Sequence, residues 1–295
     1  MSAVVLSGIE PAAEIRGLVK VRFDRLIARG IVPGLAVVTV GEPPAGNPYV
    51  RAKCRAAEEV GARAVVRRLA DDTTEGALRQ ALSELSADRS VHGIILQFPL
   101  PRHLREERHL EDIAPEKDVD GLHPLNVGRW VHGLPALTPA TPLGVIELLR
   151  RHCGDLSGKR VVVIGRSRIV GRPLSVLLSE RAPGMNATVT LCHSGTRGLK
   201  AITREAEILI VAMGQRHAIR AEDVKNGAVV IDVGIHPVAD PKPGAARLTG
   251  DVDFESVRTV ASAITPVPGG VGPMTVALLL RNLADAAEAQ EGIAT

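Results

Sequence analysis

The feature that most restricts the fold of this chain is an alternation of short β-branched runs with longer segments of helical periodicity. This order is typical of βαβ units, in which helices cover parallel strands. Aromatic residues make up only 2% of the sequence, so the cores must be built from Val, Leu, Ile and Ala. Such an aliphatic composition suits strands that are buried on both faces. The sequence therefore predicts an α/β fold.

The predicted strands form two groups, one in each half of the chain. The strands are Gly34–Val40, Arg63–Arg67, His92–Leu96, Arg160–Ile164, Thr188–Cys192, Ile208–Ala212 and Val229–Val233. The motifs of the two halves differ, so we expect two α/β layers rather than a tandem repeat.

Two predicted helices mark the limits of the domains. Thr141 can cap a helix over Pro142–Cys153, which Gly154 ends and which leads from the first domain into the second. Pro273 can open a last helix, from Met274 to about residue 289, which we expect to return to the first domain. Two other stretches are predicted to be solvated, namely the charged residues 102–112 and the Pro- and Gly-rich loop or hairpin of residues 238–247.

Charge and cysteine content exclude several classes of protein. The formal net charge of +3 is scattered, without the basic stripe or reader motif of a nucleic-acid-binding protein. The three cysteines lie far apart and at no zinc-ligand spacing. The start of the chain lacks a signal-peptide pattern, and no run approaches the roughly 20 apolar residues of a membrane helix. We expect a cytoplasmic protein that binds a small anionic molecule and no metal, nucleic acid or membrane.

A candidate nucleotide site lies in the second half, where GKRVVVIGRSRIVGRP (158–173) combines an apolar strand, a turn with two glycines and a helix. In dinucleotide-binding folds this junction places a phosphate at a helix N-terminus. The spacing differs from Gly-x-Gly-x-x-Gly, so the pattern alone fits an ordinary strand-to-helix turn equally well. No Asp or Glu lies between Thr188 and Lys200, where an NAD site usually has an acid. A hydroxyl, an imidazole and nearby Arg166 instead favour the 2′-phosphate of NADP.

A candidate catalytic helix follows Asn47 in the sequence NPYVRAKCRAAEEVG (47–61). Tyr49 and Lys53 lie four residues apart and share one face near the helix start. A lysine that is partly buried or near other positive charge can lose its proton and act as an acid or base, although most helical lysines are simply solvated. Tyr-x-x-x-Lys also occurs in short-chain dehydrogenases. There the nucleotide turn comes first, whereas here the pair precedes it.

Two further polar positions stand out in the first half. Gln97 ends the apolar run of HGIILQFPLP (92–101), at the carboxyl end of a predicted strand, where ligands gather in open α/β sheets. Asp118 and Asp120 flank Val119 before Gly121, a pattern that usually caps a turn. A carboxylate directed into a pocket would instead pair with the amidine-like face of a pterin or guanine ring.

Taken in order, these segments resemble the bacterial FolD-type methylenetetrahydrofolate dehydrogenase/cyclohydrolase family along essentially the whole chain. The matching stretches include YVRAK (49–53), GIILQFPLP (93–101), PEKDVDGLHPLNVGR (115–129), GRSRIVGRP (165–173) and ITPVPGGVGPMT (264–275). The resemblance implies a folate-binding catalytic domain of residues 1–140 and 275–295 and a Rossmann-type NADP-binding domain of residues 141–274. It implies that 5,10-methylenetetrahydrofolate is oxidised with NADP and the product hydrolysed to 10-formyltetrahydrofolate, in a homodimer joined through the NADP domains.

The resemblance also implies the roles of individual residues. Lys53 is the key residue of the hydrolytic step and Gln97 adjusts its protonation state, while Tyr49 packs on the folate and Asp120 holds the pterin ring. The other implied folate-binding residues, of which the last two line a cleft between the domains, are Pro99, Leu100, Gly270 and Pro273. The implied NADP-binding residues are Gly165, Arg166, Ser167, Ile169, Gly171, Pro173, His193, Ser194, Gly214 and Ile235.

The chain departs from the family pattern at three places. Ala140 and Gly46 stand where Cys and Ser are common, and His236 with Pro237 follows Asp-Val-Gly-Ile in place of Asn and its neighbour. The alternatives are a monofunctional dehydrogenase or another NADP-linked two-domain oxidoreductase, and an NADP- or folate-binding protein without turnover. The presence of Lys53 argues against pure binding, which would not require it.

Overall fold

The structure, a computed structural model, describes residues 2–41, 47–238 and 247–293. The chain divides into two compact units. The first unit comprises residues 13–140 and 276–295, and the second unit comprises residues 1–12 and 141–275. Each unit contains a parallel sheet, so the predicted α/β class is confirmed.

The helices and strands alternate along the chain. The strands are β1 (Val4–Val5), β2 (Gly34–Val40), β3 (Arg63–Leu69), β4 (Gly93–Leu96), β5 (Arg160–Ile164), β6 (Thr188–Cys192), β7 (Ile208–Val211), β8 (Val229–Asp232), β9 (His236–Val238), β10 (Arg247–Thr249) and β11 (Ala263–Ile264). The α-helices are α1 (Ile9–Ile27), α2 (Pro48–Glu59), α3 (Glu75–Ala87), α4 (Glu106–Leu110), α5 (Pro124–Val131), α6 (Ala140–Cys153), α7 (Gly171–Ser179), α8 (Leu199–Thr203), α9 (Phe254–Val257) and α10 (Val271–Gln290).

The sheet of the first unit has three parallel strands in the order β3–β2–β4. Every residue of β2 is buried, as expected for a strand covered on both faces. A parallel bridge between Ile94 and Asp118 continues the sheet beyond β4. The segment after Asp118 therefore runs in the same direction as the strands and ends at the same edge as they do.

The C-terminal part of α10 belongs to the first unit. The buried side chain of Asn282 donates to the backbone oxygens of Val119 (2.9 Å) and Thr138 (2.8 Å). Arg22 in α1 makes ion pairs with Asp285 and Glu288 of α10. These contacts attach the end of the chain to the segments on either side of Asp120.

The sheet of the second unit has six parallel strands in the order β1–β11–β8–β7–β5–β6. Strand order reverses at β5, which has β6 on one side and β7 on the other. In open α/β sheets a ligand crevice forms beyond the carboxyl ends of the strands at such a reversal. The adjoining strands β9 and β10 pair antiparallel, and residues 239–246 between them lie outside the described residues.

Several predicted boundaries were wrong. Residues 1–12 belong to the second unit rather than the first, because β1 pairs with β11. The helix predicted from Pro142 begins at Ala140, and the helix predicted from Met274 begins at Val271. Proline is tolerated in the first turn of a helix and does not have to be its first residue.

The stretch of residues 102–112 is not simply a solvated surface. His109 is fully buried within it, and its Nδ1 lies 2.9 Å from Oδ2 of Asp112. No described helix is both long enough and apolar enough to cross a membrane.

Candidate active site

Lys53 and Gln97 meet at the carboxyl edge of the first sheet. The Nζ of Lys53, on α2, donates to Oε1 of Gln97 at 3.3 Å. Gln97 directly follows β4, and its Nε2 donates to the backbone oxygen of Phe98 at 2.8 Å. Because that bond occupies the amide nitrogen, the amide oxygen is the atom turned towards Lys53. Both side chains are half-buried, so the ammonium or amine group remains accessible to a ligand.

The start of α2 is set by its sequence. The Asn47 side chain accepts a hydrogen bond from the backbone N–H of Tyr49 at 2.9 Å, and Pro48 occupies the first helical position. Gly61, with φ of 98°, follows the helix end as predicted. Tyr49 is 44% exposed, and partial burial raises the pKa of its phenol, which therefore stays protonated at neutral pH. Its ring offers a flat apolar surface one helical turn from Lys53.

The two aspartates at 118 and 120 have different surroundings. Asp118 is buried, and its Oδ2 accepts from the backbone N–H of His123 at 2.7 Å and from Nδ2 of Asn126 at 3.1 Å. Asp118 is therefore the carboxylate that caps the turn. Asp120 is half-buried, and within the described residues no side-chain or backbone donor bonds to its carboxylate. Its hydrogen-bonding capacity is thus available to a ligand at the edge that carries Gln97.

In the second unit, the turn between β5 and α7 is packed too tightly for side chains at its glycines. A Cβ on Gly165, which has φ of 111°, would lie 2.0 Å from the oxygen of Ala212, and a Cβ on Gly171 would lie 1.8 Å from the oxygen of Gly165. The hydroxyl of Ser167 accepts from the N–H groups of Val170 (3.2 Å) and Gly171 (3.4 Å). Arg166 is exposed on the turn.

The loop after β6 lies beside this turn, because the N–H of Gly165 bonds to the oxygen of Cys192 at 2.9 Å. The backbone N–H of His193 donates to Oγ1 of Thr196 at 2.9 Å, and the N–H of Gly195 donates to Nδ1 of His193 at 3.1 Å. The imidazole therefore carries its proton on Nε2 when neutral. Ser194 is exposed. A histidine N–H, a serine hydroxyl and the Arg166 guanidinium are thus present at the carboxyl edge of this sheet.

The remaining predicted site residues are distributed over both units. Ile169, Gly214 and Ile235 are exposed, whereas Pro173 is buried in the first turn of α7. Pro99 is exposed and Leu100 is buried beside Gln97 in the first unit. Gly270 and Pro273 belong to the second unit.

Sequence reasoning missed a pair of buried carboxylates in the second unit. Asp232 ends β8 and Asp251 follows β10, and both accept backbone N–H groups from neighbouring loops. An Asp after an apolar run could have indicated such a role, but its partners are distant in the sequence. Among the described residues, no group of three or more His, Cys, Asp or Glu side chains is placed to bind a metal ion.

Two family models match the sequence. The model for the catalytic domain of tetrahydrofolate dehydrogenase/cyclohydrolase matches residues 6–120, and the model for the NAD(P)-binding domain of the same family matches residues 139–291.

Individual proteins match along nearly the whole chain. The bifunctional protein FolD of Geobacillus thermodenitrificans is 49% identical over 287 residues, which cover 97% of this chain and 98% of that protein. The crystal structure of the bifunctional methylenetetrahydrofolate dehydrogenase/cyclohydrolase of Campylobacter jejuni is 43% identical, with a TM-score of 0.90 and coverage of 98% and 99%. The corresponding Trypanosoma brucei enzyme, complexed with NADP and an inhibitor, is 40% identical, with a TM-score of 0.91 and coverage of 98% of both chains.

The buried Asp118 generates a prediction about pH. Burial raises the pKa of its carboxyl to about 6, opposed by the hydrogen bonds from His123 and Asn126. The folded chain therefore holds this proton more tightly than the unfolded chain, and the free energy of unfolding falls as pH rises from about 4 to about 6. Asp118→Asn can keep both bonds through its amide oxygen without ionising. We expect its stability to rise relative to the parent protein across this window, by up to roughly 3 kcal/mol.

Urea denaturation of both proteins between pH 4 and pH 7 measures this effect. Asp118→Ala is the control, because it loses both the ionisable group and the acceptor, and it should be less stable than Asp118→Asn by about 1–3 kcal/mol at every pH. Parallel pH profiles for the parent and Asp118→Asn would mean that Asp118 ionises at an ordinary pH.

Proposed function

Because this chain belongs to the tetrahydrofolate dehydrogenase/cyclohydrolase family, we propose that its two reactions take place around Lys53, Gln97 and Asp120. The protein oxidises 5,10-methylenetetrahydrofolate to 5,10-methenyltetrahydrofolate with NADP and hydrolyses the product to 10-formyltetrahydrofolate. The observation that carries the assignment of the site is the hydrogen bond between Lys53 Nζ and Gln97 Oε1. It places a titratable group at the carboxyl edge of a parallel sheet, where ligands bind in this class of fold.

The dehydrogenase step makes few chemical demands on the side chains. When bound, NADP accepts a hydride from the carbon that bridges N5 and N10 of the folate. The lone pairs of the two nitrogens stabilise the cation that remains, so the protein needs no proton acceptor. Its contribution is to orient the folate, for which Tyr49 offers a ring to stack on and Asp120 a carboxylate for the pterin.

The hydrolytic step requires proton transfer. Water adds to the methenyl carbon, the bond from that carbon to N5 breaks, one proton of the water ends on N5 and the other is released. A group that takes and returns protons beside this carbon accelerates both stages. Lys53 is the group we assign, and Gln97 holds its Nζ in place because the Phe98 carbonyl orients the amide.

The second unit fits NADP on three grounds. Gly165 and Gly171 let the turn pack tightly on itself and on the loop after β7, since neither position has room for a Cβ, and this packing fixes the start of α7. The start of α7 is the positive end of a helix dipole, which favours anions. Arg166, His193 and Ser194 offer a charge and hydrogen-bond donors to a 2′-phosphate, with no acid in the loop to bind a ribose 2′-hydroxyl.

We also propose a homodimer joined through the second unit. β6 is an edge strand of the six-stranded sheet, and its residues Thr188 and Thr190 are exposed. An edge strand presents unpaired backbone groups that pair readily with another strand. A second copy of the chain is the natural partner, because most homo-oligomers close by a two-fold axis. The cytoplasmic location stays a prediction of the sequence.

Replacement of Arg166 tests the choice of cofactor. Arg166→Ala should raise the KM for NADP by about tenfold or more, the effect of losing one hydrogen bond to a charged group, and should change the KM for NAD little. Steady-state dehydrogenase rates with each cofactor measure the ratio. Arg181→Ala, which removes an exposed arginine beyond the other end of α7, is the matched control. Equal use of NADP and NAD by the parent would contradict the assignment of a 2′-phosphate site.

Replacement of Asp120 tests whether its carboxylate binds the pterin ring. Loss of a partner in paired, charge-assisted hydrogen bonds costs about 1–3 kcal/mol, so Asp120→Ala should bind folate substrate about 5- to 150-fold more weakly. Titration calorimetry measures folate affinity, and NADP affinity should stay normal. Asp120→Asn, which keeps the size of the side chain without its charge, should have a folate affinity between those of the parent and Asp120→Ala. If folate affinity is unchanged, Asp120 is only part of the turn.

Replacement of Lys53 separates the two reactions. Lys53→Met should abolish hydrolysis while part of the dehydrogenase activity survives, because hydride transfer needs alignment but no protein base. The ultraviolet absorbance of methenyltetrahydrofolate should then accumulate during NADP reduction and should not decay when this compound is added directly. Arg55→Met, an exposed position on the same helix, is the control and should hydrolyse normally. A Lys53→Met protein that hydrolyses at the parental rate would show that Lys53 is an ordinary surface lysine.

A further inference from the structure

We propose that Asp251, held by His236 and backed by Asp232, is a positioning residue that sets the two loops beside the NADP turn for cofactor binding. The inference rests on the assignment of the NADP site to the second unit. Asp251, His236 and Asp232 then join the groups on which cofactor affinity depends.

One carboxylate joins two separate loops. Asp251 is fully buried, and its Oδ2 accepts from the N–H groups of Met213 (2.7 Å) and Gly214 (3.0 Å), directly after β7. Its Oδ1 lies 2.7 Å from Nε2 of His236, at the start of β9. The loop after β7 and the segment after β8 therefore share a single anchor.

A second carboxylate holds Asp251 itself. Oδ1 of Asp232 accepts from the N–H groups of Gly234 (2.9 Å) and Asp251 (3.0 Å), and its Oδ2 accepts from Val252 (2.9 Å). The backbone at the neighbouring glycines packs directly against both carboxylates. A Cβ on Gly234 would lie 2.4 Å from Cγ of Asp251, and a Cβ on Gly250 would lie 1.8 Å from Oδ2 of Asp232. Asp232, Asp251 and these glycines therefore form a tightly packed network that holds both loops in one arrangement.

The network lies directly under the proposed cofactor edge. A Cβ on Gly165 would lie 2.0 Å from the oxygen of Ala212, so the loop held by Asp251 packs against the nucleotide turn. Gly214 and Ile235, one on each loop, are exposed and are cofactor-binding residues by the family resemblance. Their side chains and backbone can meet the cofactor only if the loops keep their position.

His236 satisfies one oxygen of the buried Asp251 carboxylate. Two carboxylates lie close together in the interior, and burial raises the pKa of Asp232 to about 7, with the charge of Asp251 as a smaller cause. A buried charge is costly unless it is paired and hydrogen-bonded. His236 supplies a hydrogen-bond donor to the carboxylate that holds the loop after β7. Without it, Oδ1 of Asp251 loses this partner.

Direct binding of NADPH to full-length variants, followed by cofactor fluorescence, tests the inference. His236→Ala should weaken binding about two- to tenfold, the effect of one hydrogen bond, and His236→Asn, which keeps a donor, should recover part of the loss. Asp251→Asn, which keeps only one acceptor oxygen, should weaken binding more than His236→Ala. His152→Ala is the matched control, because His152 is an exposed histidine of the second unit at the end of α6, away from both loops. Its affinity should be parental.

The hydrolysis of methenyltetrahydrofolate, which consumes no NADP, distinguishes positioning from general support. In His236→Ala the hydrolytic rate without cofactor should stay near the parental value, while the melting temperature falls modestly because buried Asp251 loses a partner. Parental NADPH affinity in both His236→Ala and Asp251→Asn overturns the inference, and so does a parallel loss of affinity, hydrolysis and thermal stability. A parent protein that fails to reduce NADP would instead overturn the proposed function, independently of these variants.

Discussion

Burial of the central strands is the constraint on which both units depend. All residues of β2, β7 and β8 are buried, so their backbone groups must pair within the sheets and their side chains are apolar except for Thr39 and Asp232, at or next to the carboxyl end of their strands. Polar side chains can therefore appear only where a strand ends. In a parallel sheet all these ends lie at one edge, which explains why Gln97 lies at the tip of β4 and the nucleotide turn at the tip of β5.

Buried carboxylates accept hydrogen bonds from loop N–H groups that have no partner within the sheets. Asp118, Asp232 and Asp251 each accept at least one backbone N–H from a loop that follows a strand or turn. An unpaired N–H in the interior costs free energy comparable to a lost hydrogen bond. The carboxylates prevent this loss and at the same time fix the loops that carry exposed ligand-binding groups. Their own burial raises the pKa of Asp118 and of Asp232 well above the ordinary range.

Much of the fold was predictable because its signals are local. The bounds of β2, β5 and β6 match the prediction, since each is a run of apolar and β-branched residues between turn residues. The start of α2 was predictable from Asn47 and Pro48 for the same reason. β1 and β11 were not, because strands of two residues have no periodicity and exist only through their pairing with each other and with β8.

The site divides in the same way. The sequence by itself determined the fold class, the identity of the family, and the residue types available for each reaction, because these follow from local patterns and their order. Only the tertiary structure decided which aspartate caps the turn and which stays open, that the Gln97 amide oxygen faces Lys53, and that residues 1–12 join the second unit. The tertiary structure also decided that Asp251 forms hydrogen bonds with Met213 and His236. Each of these depends on hydrogen bonds or strand pairing between residues distant along the chain, and no local pattern records which distant group fills a given donor or acceptor.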